Sequence, residues 1–314
     1  MIRKATLGVV SCAVFFSLAL VSCHKFSGSQ TVPAYIHIDS ITVECDYYTF
    51  GAGTSNITDA WVYVDDQIIG CYELPATFPV LKNGKHKVSV YAGICIDGIG
   101  DSRSYYPFYK PKEYYELDLV EDSVVTLNPV VTYYEIDMLN FGWKEDFETG
   151  SSLVKSPQSD TGMVRVSGAE AWNSPNSFYS GMVSLPPDSL DFCVETSEGM
   201  TFHTDLQGNF CVLEMDYKTN DTVFVGVMYY EDYQKQYWPL VKVLPSDKEH
   251  AVPQKWKKIY ITLGPFLSVH ESASYFKVYI TSDLSVHPDY EQPDYTPISE
   301  QRYYYFDNFK VIYR

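Results

Sequence analysis

Apolar and polar residues alternate with a period of two along most of this chain, and no long stretch repeats the i, i+3, i+4 spacing of an amphipathic helix. In the first half the alternation predicts strands over Tyr35–Cys45, Ala60–Val64, Gln67–Cys71, Lys85–Ala92, Tyr114–Val120 and Ser123–Tyr133. Asp65-Asp66, Lys82-Asn83-Gly84-Lys85 and Gly98-Ile99-Gly100-Asp101 supply turns between them. Short strands punctuated this often predict a small Ig-like β-sandwich over residues 34–137. In the second half, strands are expected at Thr161–Val166, Asp191–Thr196, Phe210–Tyr217, Val223–Tyr229, Tyr237–Leu244, Trp256–Leu263, Tyr275–Ser282 and Tyr303–Tyr313. That many strands over residues 138–314 predict a jelly-roll β-sandwich. The expected fold class is all-β, with the small sandwich first and the jelly roll after it.

One segment breaks the pattern. Met1-Ile2-Arg3-Lys4 precedes an uncharged apolar run from Ala5 to Ser22, the layout of a secretory signal peptide over residues 1–22 and too short for a stable span. The run ends Leu20-Val21-Ser22-Cys23, which resembles the lipobox of a bacterial lipoprotein. The resemblance implies that Cys23 becomes the first mature residue and carries lipid, anchoring the chain in the outer membrane. Residues 23–33 then serve as the tether. Acidic residues often follow the lipidated cysteine of surface-exported lipoproteins; here His24-Lys25-Phe26-Ser27-Gly28 follows, leaving surface and periplasmic faces both open.

Charge narrows the choice of partner. The chain has 314 residues and a net charge of −17, which argues against nucleic acid because phosphate contacts need clustered Lys and Arg. Aromatic content is 16%, with 28 Tyr, 17 Phe and 5 Trp, a composition suited to strands and to gripping surfaces. Processing would remove Cys12 and modify Cys23, leaving Cys45, Cys71, Cys95, Cys193 and Cys211, an odd number with no CxxC. Cys193 and Cys211 are the candidate bridge; buried free thiols in strands are the alternative.

Hydrolase and nucleotide signatures are missing: there is no GxSxG, HExxH or GxxxxGK[ST], and the seven histidines show no ligand spacing. The best carboxylate pair is Glu214 and Asp216, placed on one strand face by period two. Such a pair could serve a glycosidase. One sandwich glycosidase family carries E-x-D-x-x-E on a strand, but here Thr219 stands where the last acid belongs, so the expectation is a non-enzyme. Trp256, Lys258, Tyr260 and Thr262 share a face, as do Tyr275, Lys277, Tyr279 and Thr281, with Tyr229, Tyr230, Tyr237 and Trp238 beside them. Rings interleaved with polar groups are what a sugar needs, rings for its C–H faces and polar groups for its hydroxyls. The candidate ligand residues are therefore Glu214, Asp216, Tyr229, Tyr237, Trp238, Trp256, Lys258, Tyr260, Lys277 and Tyr279.

Two further resemblances bear on function. Asp59–Gly70, Leu74-Pro75-Ala76-Thr77 and Asn83–Val90 resemble PEGA-type and related Ig-like surface modules, which implies a spacer or interaction module. Asp146-Phe147-Glu148 and Tyr305-Phe306-Asp307-Asn308-Phe309-Lys310-Val311 resemble the opening and closing strands of jelly-roll carbohydrate-binding modules and the wider galactose-binding-like class. That resemblance implies that the two end strands meet and that Asp146, Glu148 and Asp307 hold a structural calcium ion. Four Asp-[Ser/Thr]-aliphatic triplets (at Asp39, Asp122, Asp188 and Asp221) resemble the O-glycosylation acceptor of Bacteroidota envelope proteins. Together these features resemble a Bacteroidota-type envelope lipoprotein. Its partner would be a glycan or an envelope protein, including as a subunit of a secretion, motility or adhesion complex.

Overall fold

The computed structural model describes residues 32–157, 159, 161–187, 191–200, 210–231, 233–270, 272–282 and 300–314. The signal peptide, Cys23, most of the tether and the triplet at Asp188 lie outside the described residues. The chain is all-β; among the described residues the helical segments are two four-residue α-helical turns at Tyr47–Phe50 and Gly264–Leu267 and two 3-10 turns at Ile136–Met138 and Gly168–Glu170.

The first ten strands are β1 (Ala34–Ile38), β2 (Thr42–Val43), β3 (Asp59–Val64), β4 (Gln67–Glu73), β5 (Ala76–Val80), β6 (Gly84–Cys95), β7 (Arg103–Tyr105), β8 (Lys112–Leu119), β9 (Val124–Leu127) and β10 (Val130–Val131). They form one sheet in the order β4-β3-β6-β7, with β8 also paired to β6, a second sheet β5-β1-β9, and a small pair β10-β2. Asp65 and Asp66 both have positive φ, the backbone a tight two-residue hairpin requires, so β3 runs straight back as β4. Ile36, Val62, Val88, Val90, Phe108 and Leu119 fill the space between the sheets.

The remaining strands are β11 (Asn140–Glu145), β12 (Leu153–Lys155), β13 (Val164–Ser167), β14 (Tyr179–Leu185), β15 (Cys193–Thr196), β16 (Cys211–Thr219), β17 (Val223–Glu231), β18 (Gln234–Val243), β19 (Lys257–Thr262), β20 (Phe276–Thr281) and β21 (Arg302–Tyr313). They build the two sheets of a jelly-roll sandwich, β13-β14-β21-β16-β19 with β11 on β21, and β12-β15-β20-β17-β18. Leu213, Met215, Val225, Ile261, Val278, Ile280, Phe306 and Val311 pack between them. Alternation had shown β15 to β21 clearly. It missed β11, β12 and β14, which are short or carry Gly and Ser where an apolar residue would mark the period.

The outer face of β16, β19 and β21 is not solvated. Val212, Tyr260 and Ile312 project from it into the hydrophobic cluster of the first sandwich. Tyr260 also forms a parallel bridge with Ile96, just beyond β6. The two sandwiches therefore share a packed seam.

Candidate functional site

Period two puts Glu214, Asp216, Lys258 and Tyr260 on one face, and the fold lays the first sandwich over that face. All four are buried. Glu214 accepts hydrogen bonds from Tyr106 (2.5 Å) and Tyr133 (2.8 Å) of the first sandwich, and its other oxygen lies 3.0 Å from the Lys258 ammonium and 3.7 Å from that of Lys310. Lys310 donates to the Ala52 carbonyl at 2.8 Å. Asp216 accepts from Thr54 (2.6 Å) and Asn308 (2.8 Å), while Lys258 donates to the Thr54 hydroxyl at 3.0 Å.

Burial works to raise the Glu214 carboxyl, but Lys258, Lys310 and the Tyr106 hydroxyl outweigh it and hold the group at about 2. Burial raises Asp216, only partly opposed by Lys258. Two lysines thus face two carboxylates in the buried seam, with Asp216 and Lys258 at its edge, the arrangement that makes buried charge tolerable. This corrects the glycosidase alternative: Glu214 is sealed beneath Tyr106 and Tyr133 and cannot flank a scissile bond. It also corrects the ligand face, since Tyr260 and Glu214 belong to the domain seam.

The other aromatic residues separate as well. Tyr237 and Tyr279 are buried with Cys193 and Met228 in a small satellite core on the far sheet, where the rings meet edge to face at 5.2 Å. Glu195 beside them takes Lys235 at 2.8 Å and Lys277 at 3.4 Å. Tyr229 packs at one end of the main core against Phe266 and His270, and Trp238, 47% exposed, covers the same corner. The ten candidates are therefore spread over the seam, the satellite core and the molecular surface, and do not form one surface.

Cys193 and Cys211 are free thiols, one in the satellite core and one in the main core, so the candidate bridge is absent. Burial pushes the Cys193 thiol up to about 12 and raises Cys211 as well, so both stay protonated and inert.

The end strands meet as the resemblance implied, Glu145 of β11 lying opposite Phe309 of β21. The three acids are each engaged separately. Asp146 accepts from Tyr47, Glu148 from the backbone N–H groups of Phe178 and Tyr179, and Asp307 from Ser180 at 2.6 Å. Burial pushes Asp307 up to about 8, so near neutral pH it is mostly protonated. Among the described residues the one trio with converging ligand atoms is Asp247, Glu249 and His250, not this set. Asp247 there is occupied by His250 and by the backbone N–H groups of Glu249 and Gln254.

A cleft opens at the rim of the seam. Its smaller lobe, about 450 Å³, is lined by Thr54, Asn56, Trp172, Asp216, Trp256 and Lys258, among others. A shallower lobe of about 800 Å³ continues past Thr54 and Trp172 to Glu44, Tyr47 and Asn176. Trp172 and Trp256 stand at right angles with ring centres 5.7 Å apart. Lys218 reaches over the Trp256 ring at 5.1 Å and donates to the Glu170 carbonyl. Asp216, Trp256 and Lys258 were legible in the sequence. Trp172 lies in an Asn-Ser-Pro loop with no period to expose it, and Thr54 comes from the other domain. Lys310, set between Phe309 and Val311 in β21, is a readable sign of a buried charge.

No family model and no curated relative matches the chain. Solved structures do. A Clostridium thermocellum xylanase comprising a carbohydrate-binding module and a catalytic module, complexed with xylohexaose, is 12% identical with a TM-score of 0.33; the match covers 55% of this chain and only 28% of that one. A carbohydrate-binding module of the β-sandwich superfamily is 13% identical over 81% of this chain and 85% of its own, with a TM-score of 0.34. A family 11 carbohydrate-binding module of Clostridium thermocellum with a mixed-linked tetrasaccharide is 10% identical over 55% and 94%, with a TM-score of 0.33.

Proposed function

We propose that this chain is a non-catalytic glycan-binding protein of the cell envelope, held by lipid on Cys23, and that the cleft between its sandwiches takes the sugar. The observation that carries the reading is the pair Trp172 and Trp256 at the walls of a cleft of about 450 Å³ whose lining also brings Thr54, Asn56, Asp216, Lys257 and Lys258 beside apolar groups such as Tyr217 and Ile259. That volume lies within the range of small-molecule sites. An indole face takes the C–H face of a pyranose, while the Asn56 amide and Lys257 ammonium serve its hydroxyls. Asp216 and Lys258 at the floor offset each other, which suits a neutral sugar.

Glycan-array screening followed by titration calorimetry tests this. Trp256→Ala is expected to weaken the sugar that binds by at least about tenfold. Undiminished affinity in both Trp256→Ala and Trp172→Ala would remove the cleft from consideration. The anchor is tested separately: Cys23→Ala should abolish metabolic labelling with palmitate, and protease shaving of intact cells tells which side of the outer membrane the sandwiches face.

A further inference from the structure

Farther along the seam from the tryptophan cleft, β7 pairs with β6 on one side and with no strand on the other among the described residues. Directly beneath that edge is a notch of about 230 Å³ lined by Ile94, Ser104, Pro107, Phe210, Val212 and Pro265, continuous with the buried interface through Tyr106 and Tyr260. Phe210 and Tyr105 at its mouth are 42% and 40% exposed. The upper face of the same edge is aromatic. Tyr105 touches Trp61 and Tyr91, and Tyr91 touches Tyr63, with ring centres 5.2–6.1 Å apart.

We propose that the β7 edge and this notch dock an extended segment of a partner protein, which adds a strand to the sheet and seats one large apolar side chain between the two sandwiches. The occupant follows from the geometry. An unpaired edge offers backbone hydrogen bonds to another strand. Ser104 lies opposite Ile94, and both line the notch. A residue paired to Ser104 on the free side therefore points into the notch, and its two neighbours point up beside Tyr105 and Arg103. The lining is almost wholly apolar and the volume falls below that of ordinary small-ligand sites. A side chain fits it, and a sugar would find few partners for its hydroxyls. The charges on the upper face are already matched, Arg103 by Asp59 and Glu73 and Lys87 by Glu113, so an apolar segment meets no unpaired charge there.

Selection of a phage-displayed random dodecapeptide library against the full chain tests the proposal. Enriched peptides should alternate and share one large apolar residue. Their affinity should fall about tenfold or more in Ser104→Lys, which puts a charge in the notch, and in Phe210→Ser at its mouth. Trp256→Ala should leave it unchanged, and circular dichroism should report both notch variants folded. Peptides that bind the two notch variants as well as they bind the native chain overturn the proposal. So does a library with no enrichment, or a glycan that binds through Tyr105 in its place.

Discussion

Glu214 illustrates how much one side chain in the seam carries. In Glu214→Gln, Lys258 and Lys310 would remain buried with one anion fewer, and removing one partner of a buried ion pair costs about 3–5 kcal/mol. Urea unfolding should show that loss, whereas Glu249→Gln, in an exposed pair with Lys255, should shift stability by about 0.5 kcal/mol at most. The carboxylates also set a pH profile. Glu214 sits at about 2 when folded against 4.5 ordinarily, so its stabilisation is present above 4.5 and lost as pH falls through 2. Asp307 has the opposite sign: folded, it keeps its proton up to about 8, while the unfolded chain releases it near 3.8, so stability falls as pH rises across that window. Asp216, also raised, adds to the same limb. Maximum stability is therefore expected at about pH 4–5. Asp307→Asn should flatten the decline towards pH 8 in melting curves.

At the level of elements, β17 shows why a glycine interrupts an otherwise apolar strand. Gly226 lies at a register shift between β17 and β18, and a Cβ there would come within 2.3 Å of the Trp238 carbonyl oxygen and 2.6 Å of the Tyr279 ring. Gly226→Ala should lower stability by about 1–3 kcal/mol, because the backbone oxygen cannot yield as a flexible side chain could. Thermal melts of this variant beside Gly100→Ala, where nothing lies within 4 Å, provide the comparison. Long strands were legible in two ways: β16 by its period of two, and β17 and β21 as extended runs rich in β-branched and aromatic residues. The three-residue strands β7 and β12 were not, since their pairing is decided by β6 and β15.

Across the whole molecule, the seam joins the two sandwiches with aromatic packing and ion pairs. Calorimetry should accordingly give one transition with matching calorimetric and van't Hoff enthalpies. Removing both hydroxyls that hold Glu214, in Tyr106→Phe/Tyr133→Phe, should split or broaden it. The sequence by itself determined the all-β class, most strand positions and which residues share a face, because side-chain alternation is a local property of an extended backbone. It could not say what covers each face. A row of Tyr, Lys and Glu suits a solvated ligand surface and a buried, mutually neutralised interface equally well. Only the packing of the first sandwich across β16, β19 and β21 decided that Glu214, Lys258 and Tyr260 are buried. The same packing left the tryptophan cleft and the β7 notch open along the seam, because both are bounded by residues from two domains that meet only in the folded chain.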